Sequence, residues 1–314
     1  MSATVPATNG GPPRSYYGQP VIKEPIWTPQ IPWYFFAGGL GGASAGLAYL
    51  AGRTGNDVLA RRAWLAALGG VGISPALLIS DLGVPKRFLN MLRMFKVTSP
   101  MSVGSWILVV SGTATGVAAV NSATGRLARM SAVARPVAAV AGLPLSTYTA
   151  ALIAQTAVPV WHEAHRELPA IFASGAAASA GATAAMLTPV ASAGPARRLA
   201  VLGSLGELVA VQVMEHRLDE LADPYHSPDA EPFTRAARLL TATGALLLAG
   251  AARRRRAAAV AGGAMVLAGA ACERWSVFKA GLISARDPSY TVGPQRDRVR
   301  TRRGLGAIRT AVRR

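Results

Sequence analysis

The fold class that this sequence predicts is all-α, an integral membrane protein with about eight transmembrane helices, and three observations predict it. The chain of 314 residues is 51% hydrophobic and only 15% charged, where soluble domains carry about 25% charged residues. Its apolar residues gather into eight stretches close to the ~20 residues that a bilayer core requires. Its cations, behind a formal net charge of +18, sit in short clusters between those stretches and in the C-terminal region. That distribution favours membrane topology over a nucleic-acid groove.

The expected spans are residues 33–52, 63–82, 103–122, 137–160, 169–190, 199–217, 236–252 and 257–276. They suggest two four-helix bundles, with no internal repeat. Ahead of them, residues 1–32 are polar and rich in Pro and Gly, without the apolar core of a cleavable signal peptide, and read as a flexible arm. Residues 33–276 form the membrane domain. Residues 277–314 are polar and Arg-rich and read as an extended basic tail, suited to lipid headgroups or a partner subunit.

The first span opens with Trp33-Tyr34-Phe35-Phe36, aromatics suited to the headgroup level. Gly38, Gly39, Gly41, Gly42 and Gly46 follow and let a neighbouring backbone approach closely. Pro75 in the second span, and Pro144 and Pro159 in the fourth, predict kinks. Between spans two and three, Phe88, Leu89, Met91, Leu92 and Phe95 fall at helical spacing opposite Lys86, Arg87, Arg93 and Lys96. This predicts a short interfacial helix near 86–96, after which Thr98-Ser99-Pro100 caps and starts the next span. Ala- and Gly-rich residues 175–185 make span five another close-packing helix.

Orientation follows from the loops. Those after spans one, three, five and seven hold 12 Lys or Arg against Asp57 alone, and those after spans two, four and six hold 6 together with seven acids. The first set is therefore expected in the cytoplasm, with termini and acidic loops outside, although the cationic C-terminal tail argues the other way.

Ionisable groups in or near spans are costly and mark function or internal pairing. Asp81 closes span two, Glu207 lies within span six, Glu215 and His216 close it, and Glu273 lies near the end of span eight with Arg274 beside it. Glu207 and Glu215 are two helical turns apart on one face, a rail for protons. Pairing of Glu273 with an Arg of a neighbouring helix, or snorkelling, is the structural alternative. Trp161-His162-Glu163-Ala164-His165 lies between spans four and five. Its two histidines lack a third metal ligand, and the chain's histidines lie in loops or at span ends, which argues against a haem anchor. The single Cys272 allows neither an internal disulfide nor a cysteine-ligated cluster built by this chain alone. A quinone needs an apolar pocket, donors for its carbonyl oxygens and a group that passes protons, and Tyr148, His162 and Glu163 are of those types.

The segment from Asp81 to Trp106, with its Asp-Leu-Gly, Arg-Phe-Leu-Asn-Met-Leu-Arg and Thr-Ser-Pro-Met-Ser stretches, resembles the NrfD/polysulfide-reductase membrane anchors. So do Ser146–Trp161, Gly206–His216, and Cys272–Gly281 followed by Asp287–Arg296, so that the likeness covers about residues 30–298. The resemblance implies the membrane anchor of a molybdopterin oxidoreductase complex, of the kind shared by formate, polysulfide, nitrite and thiosulfate enzymes. Such an anchor holds a four-cluster iron–sulfur subunit and exchanges electrons with menaquinone, with no metal or haem of its own. Tyr148 is similar to the tyrosine of that family's quinone pocket, and Glu207 and Glu215 to carboxylates of its proton path. The polar pair that some members carry on the first helix is replaced here by Trp33 to Phe36.

The expectation is thus a subunit passing electrons between the iron–sulfur partner and quinone. Tyr148, His162 and Glu163 would hold the quinone, while Asp81, Glu207, Glu215 and Glu273 would move protons. Lys86, Arg87, Arg93, Lys96, Thr98, Ser99 and Pro100 would face the partner or lipid headgroups. The rival readings are a tether with no quinone site and an ion or solute carrier; the latter fits the intramembrane acids but not the lack of a repeat.

Overall fold

In a computed structural model of the chain, residues 20–293 and 295 are described. Eight long helices carry the fold: α1 (Gln30–Arg53), α2 (Asp57–Asp81), α3 (Pro100–Thr124), α4 (Ala128–Ala154), α5 (Leu168–Leu187), α6 (Gly194–Leu218), α7 (Glu231–Ala249) and α8 (Arg256–Arg286). Among the described residues there is no strand. Six of the eight, all but α1 and α7, are long and apolar enough by length and composition to cross a membrane.

Helices α1 to α4 pack on one another as one four-helix group and α5 to α8 as a second, with α5 joining them by packing on α1, α2 and α4. Small residues set these approaches: a Cβ added at Gly41 of α1 would lie 2.8 Å from the backbone nitrogen of Val71 on α2, a contact that only glycine permits. The helix ends follow local chemistry. The Asn56 side chain accepts from Leu59 N–H at 3.2 Å to cap α2. Ser99 accepts from Ser102 N–H at 3.4 Å with Pro100 in the first turn, so the expected cap of α3 is present. Gly125 ends α3 in the left-handed region at φ 71°.

The two ends of the bundle are packed differently. At the end holding the termini of the described chain, the core is built of large side chains, among them Tyr34, Phe35, Trp161, Phe172 and Phe278. At the other end it is mostly alanine, around Trp64, Leu59 and Leu248. The acidic loops belong to the first end and the arginine clusters to the second.

Four expectations change. The interfacial helix shrinks to a turn at Pro85–Arg87 and a helix at Phe88–Met91, because the chain beyond it is tied to the start of α3 instead. Ser102 Oγ donates to the Met94 carbonyl at 3.0 Å, and Lys96 N–H donates to Ser102 Oγ at 3.1 Å. The fourth span is Ala128–Ala154, and Pro159 starts a separate short helix, Pro159–Glu163. The boundary drawn at residue 276 falls inside α8, which continues to Arg286. Val277, Phe278, Ala280 and Gly281 are buried there, and Trp161 Nε1 donates to the Val277 carbonyl at 2.7 Å, so apolar packing outweighs the polar composition of this stretch. Of the N-terminal arm, residues 1–19 lie outside the described residues, as does most of the tail beyond 293. Residues 20–29 are held in place: Trp27 stacks on Trp161 with ring centroids 5.4 Å apart.

Candidate functional site

Asp81, the last residue of α2, meets the arm where α1 begins. Its Oδ1 accepts from Thr28 N–H at 2.9 Å and from Thr28 Oγ1 at 2.6 Å. The same end of the first bundle carries Tyr148, one and a half turns before the end of α4. Its ring lies edge-on to Tyr34 of α1, with centroids 6.4 Å apart, and flat against the backbone of Gly104 on α3, where an added Cβ would stand 2.8 Å from Tyr148 Cζ. Glycine at 104 therefore makes room for the phenol.

Tyr148 and Asp81 line one cleft between α1, α2, α3 and α4, together with Trp27, Tyr34, Met91 and Ser105. The cleft is narrow, with a cavity volume of about 50 Å3. Its walls are aromatic and aliphatic. Tyr34 is buried, and its hydroxyl has no hydrogen-bond partner among the described residues. A buried donor without a partner costs about 1–3 kcal/mol. Phenol hydroxyls, an apolar slot and one carboxylate at the mouth fit a flat hydrophobic molecule with carbonyl oxygens.

The segment expected to face a partner stands over this mouth. Lys86, Arg87, Arg93, Lys96 and Thr98 are exposed, Ser99 and Pro100 are half-buried, and Met91 of the same segment reaches down to line the cleft. Leu89, Met94, Phe95 and Val97 are also exposed there, so the surface is both cationic and apolar.

His162 and Glu163 are in a different place. They line a second, open cleft with Gln155, Thr156, Pro159 and Tyr290, and Tyr148 is not among its walls. His162 Nδ1 lies 3.2 Å from the Ala154 carbonyl and His165 Nδ1 lies 2.8 Å from the His162 carbonyl, so each ring is used to close the turn. The Glu163 carbonyl accepts from Arg217, whose Nε also pairs with Glu167 at 2.5 Å. Among the described residues, no group of three or more His, Cys, Asp or Glu is arranged to hold a metal.

The remaining acids converge in the second bundle. Glu207 and Glu215 of α6 and Glu273 of α8 line one small pocket, together with Tyr225, Thr234, Arg238 and Ser276. Arg274, behind its wall, joins Glu207 and Glu273. It pairs with Glu273, places Nη1 3.5 Å from Glu207 Oε1, donates to the Phe172 carbonyl at 3.2 Å, and lies 4.1 Å above the Phe172 ring. Nearer the end of α6, Glu215 pairs with Arg238 of α7. Thr234 and Ser276 are hydrogen-bonded at 2.6 Å, and Thr234 Oγ1 also donates to the Tyr225 carbonyl at 2.9 Å. Glu207 Oε2, Glu215 Oε1 and Arg274 Nε are buried with no hydrogen-bond partner among the described residues, which leaves lone pairs and a donor for water.

Three of the four expected proton-path acids are thus brought together, and Asp81 instead joins Tyr148. Sequence reasoning missed Arg238, Tyr225, Thr234 and Ser276. An arginine within the apolar run of span seven was the available signal for the first; for the other three none was present. It also looked to a neighbouring helix for the partner of Glu273, whereas the partner is the adjacent Arg274.

A comparison with protein-family models finds one described as polysulphide reductase, NrfD, matching residues 21–218. No curated protein matches the chain.

Proposed function

We propose that this chain, which belongs to the NrfD polysulphide reductase family, passes electrons between a docked iron–sulfur protein and a quinone held against Tyr148 and Asp81. Family membership makes it a multi-pass membrane subunit of a polysulfide-reductase-like complex. The finer assignment is supported chiefly by one observation: the apolar cleft that joins Tyr148, the unpartnered hydroxyl of Tyr34 and the carboxylate of Asp81 beneath an exposed cationic surface.

In this reading all eight long helices cross the bilayer. Menaquinone, when bound, supplies two-electron, two-proton chemistry at its carbonyl oxygens. The chain supplies the rest. The Tyr148 and Tyr34 hydroxyls are the donors that orient a carbonyl, and Trp27, Tyr34 and Tyr148 give the flat walls that exclude water. Asp81, already accepting two hydrogen bonds on Oδ1, is the group able to exchange a proton at the mouth. Glu207, Glu215 and Glu273, spaced by Arg274 and Arg238, form a buried row in which a proton can be held and passed. Lys86, Arg87, Arg93 and Lys96 face the iron–sulfur subunit of a molybdopterin enzyme, and Thr98 to Pro100 fix the edge of that surface. His162 and Glu163, in their own cleft, are not needed to hold the quinone.

The test is turnover by the purified complex. Tyr148→Phe removes one donor and should lower quinone-linked turnover roughly tenfold, the value of one hydrogen bond of about 1.4 kcal/mol. Turnover with a water-soluble dye that accepts electrons from the partner should not change. Quinone-linked turnover unchanged from the parent in both Tyr148→Phe and Asp81→Asn, or no quinone extractable from the complex, would leave the chain a tether.

A further inference from the structure

We propose that the cleft between the start of α6 and the end of α7 is a binding site for one anionic phospholipid, with its phosphodiester on Arg197, Arg198 and Arg253. These three line an open cleft of about 510 Å3 at the arginine-rich end of the bundle, opposite the Tyr148 cleft. No acid lines it, and among the described residues none of the three makes an ion pair with a carboxylate. Three guanidinium groups gathered without a counter-charge repel one another, and an anion bound among them relieves that repulsion.

Arg197 is held ready, its Nη1 donating to the Val190 carbonyl at 3.0 Å. Gly194, the first residue of α6, is also in the lining, so the positive end of that helix faces the same space.

The other walls say which anion. Val201, Leu202 and Leu248 continue the cleft away from the arginines. On α6 the spacing of Arg198, Leu202, Leu205 and Val209 puts them in one stripe, and the three apolar members are 67%, 52% and 61% exposed. On α7, Leu246 and Leu239 are 73% and 68% exposed and two turns apart. Cations at the end of two helices, with bare aliphatic tracks running from them along the membrane-facing surface, match a phosphate headgroup carrying acyl chains. A free phosphate would use only the arginines. The second cleft at this end, with Arg53, Arg61 and Arg135, contains Asp57 and a half-polar lining, and so has a carboxylate of its own.

The experiment is native mass spectrometry of the full-length protein in a neutral detergent, titrated with phosphatidylglycerol, phosphatidylcholine or inorganic phosphate. Phosphatidylglycerol should be retained as one tight equivalent. The Arg197→Gln/Arg198→Gln/Arg253→Gln variant should bind it roughly a hundredfold more weakly, whereas Arg254→Gln/Arg255→Gln, altering exposed neighbours outside the cleft, should bind as the parent does. Retention of phosphatidylcholine to the same extent, displacement of the lipid by millimolar phosphate, or equal loss in the two variants would overturn the proposal. Should the triple variant not fold, a photoactivatable phosphatidylglycerol on the unaltered protein decides: label within 194–202 and 246–253 supports the site, and label elsewhere on the arginine-rich face refutes it.

Discussion

The two four-helix groups treat polar side chains in opposite ways. In the first, α1 to α4, charge is kept to the ends, and Tyr34, Tyr148 and Asp81 meet in a cleft with aromatic walls. In the second, α5 to α8, Glu207, Glu273 and Arg274 are buried as an ion cluster. A slot for an apolar molecule keeps charges off its walls, because each would have to be desolvated whenever the slot fills, and here its one carboxylate, Asp81, closes α2 at the helix end. Burying ionisable groups instead demands opposite charges at hydrogen-bonding distance. Under the proposed function, the contrast would separate two tasks, the meeting of electrons with a hydrophobic carrier and the handling of protons.

The largest effect that would break this contrast is loss of the hub. Arg274→Met leaves Glu207 and Glu273 buried without their cation, and removal of one partner from a buried pair costs about 3–5 kcal/mol. Denaturant or thermal unfolding of the solubilised protein should show that loss. Adding Glu207→Gln and Glu273→Gln should recover most of it, since a neutral cluster has no unpaired charge. A single variant as stable as the parent would mean that the acids are already neutral and that Arg274 is held by Phe172 alone.

Next is the floor of the cleft. Gly104→Ala puts a methyl group where the Tyr148 ring lies, 2.7 Å from Cδ2 and 2.8 Å from Cζ, and overpacking of this kind costs about 1–3 kcal/mol. The phenol is pushed into the slot without being altered. Quinone-linked turnover should fall while dye-linked turnover holds, and Gly112→Ala, at a position with open space, should change neither. In the second bundle Gly281 lies likewise against the Trp161 indole, but that donor is already spent on the Val277 carbonyl, so the Gly104 and Gly112 variants test the first bundle's slot alone.

How much of this was legible in the sequence follows from what each feature depends on. The eight helices and their two groups were, because apolar runs of bilayer length bounded by Pro, Gly and charges specify helices almost alone. The carboxylates of the second bundle were visible as single acids in apolar runs, and the eight-residue spacing of Glu207 and Glu215 put them on one face. Their partners were not. Arg238 is 23 residues from Glu215 and Thr234 is 42 from Ser276, separations that only helix packing sets. Residues 277–286 read as tail because Lys279 and Arg286 interrupt the apolar pattern, yet Lys279 lies 5.7 Å from the Phe233 ring centroid, which accommodates its charge at the helix surface. The union of Asp81 with Tyr148 depended likewise on four helices meeting.

A smaller effect is expected at the arm. Thr28→Val deletes the hydroxyl that donates to Asp81 at 2.6 Å and leaves the N–H bond, a loss of about 1 kcal/mol. Because Asp81 lines the cleft, the variant should lower quinone-linked turnover a few-fold as well as loosening residues 20–29 to proteases. In the second bundle, Thr234→Val removes a more deeply buried hydroxyl from the acid row without touching the cleft. It should leave the affinity for quinone in place, and an equal loss in both variants would join the two regions into one functional unit.

The smallest effect is the surface bridge that closes the arm onto α8. Arg286 Nη2 lies 2.7 Å from Glu24 Oε1, with the side chains 58% and 39% exposed. In water and salt, such a pair contributes about 0.5 kcal/mol or less. Arg286→Gln should therefore leave protection of residues 20–29 and turnover almost as they are, at low and at high ionic strength. The stack of Trp27 on the fully buried Trp161 and the two bonds to Asp81 hold the arm from the inner side, where solvent does not compete. A large loss of protection in Arg286→Gln would place the arm under electrostatic control at the rim, and the quinone cleft would then owe its closure to a contact that salt can dissolve.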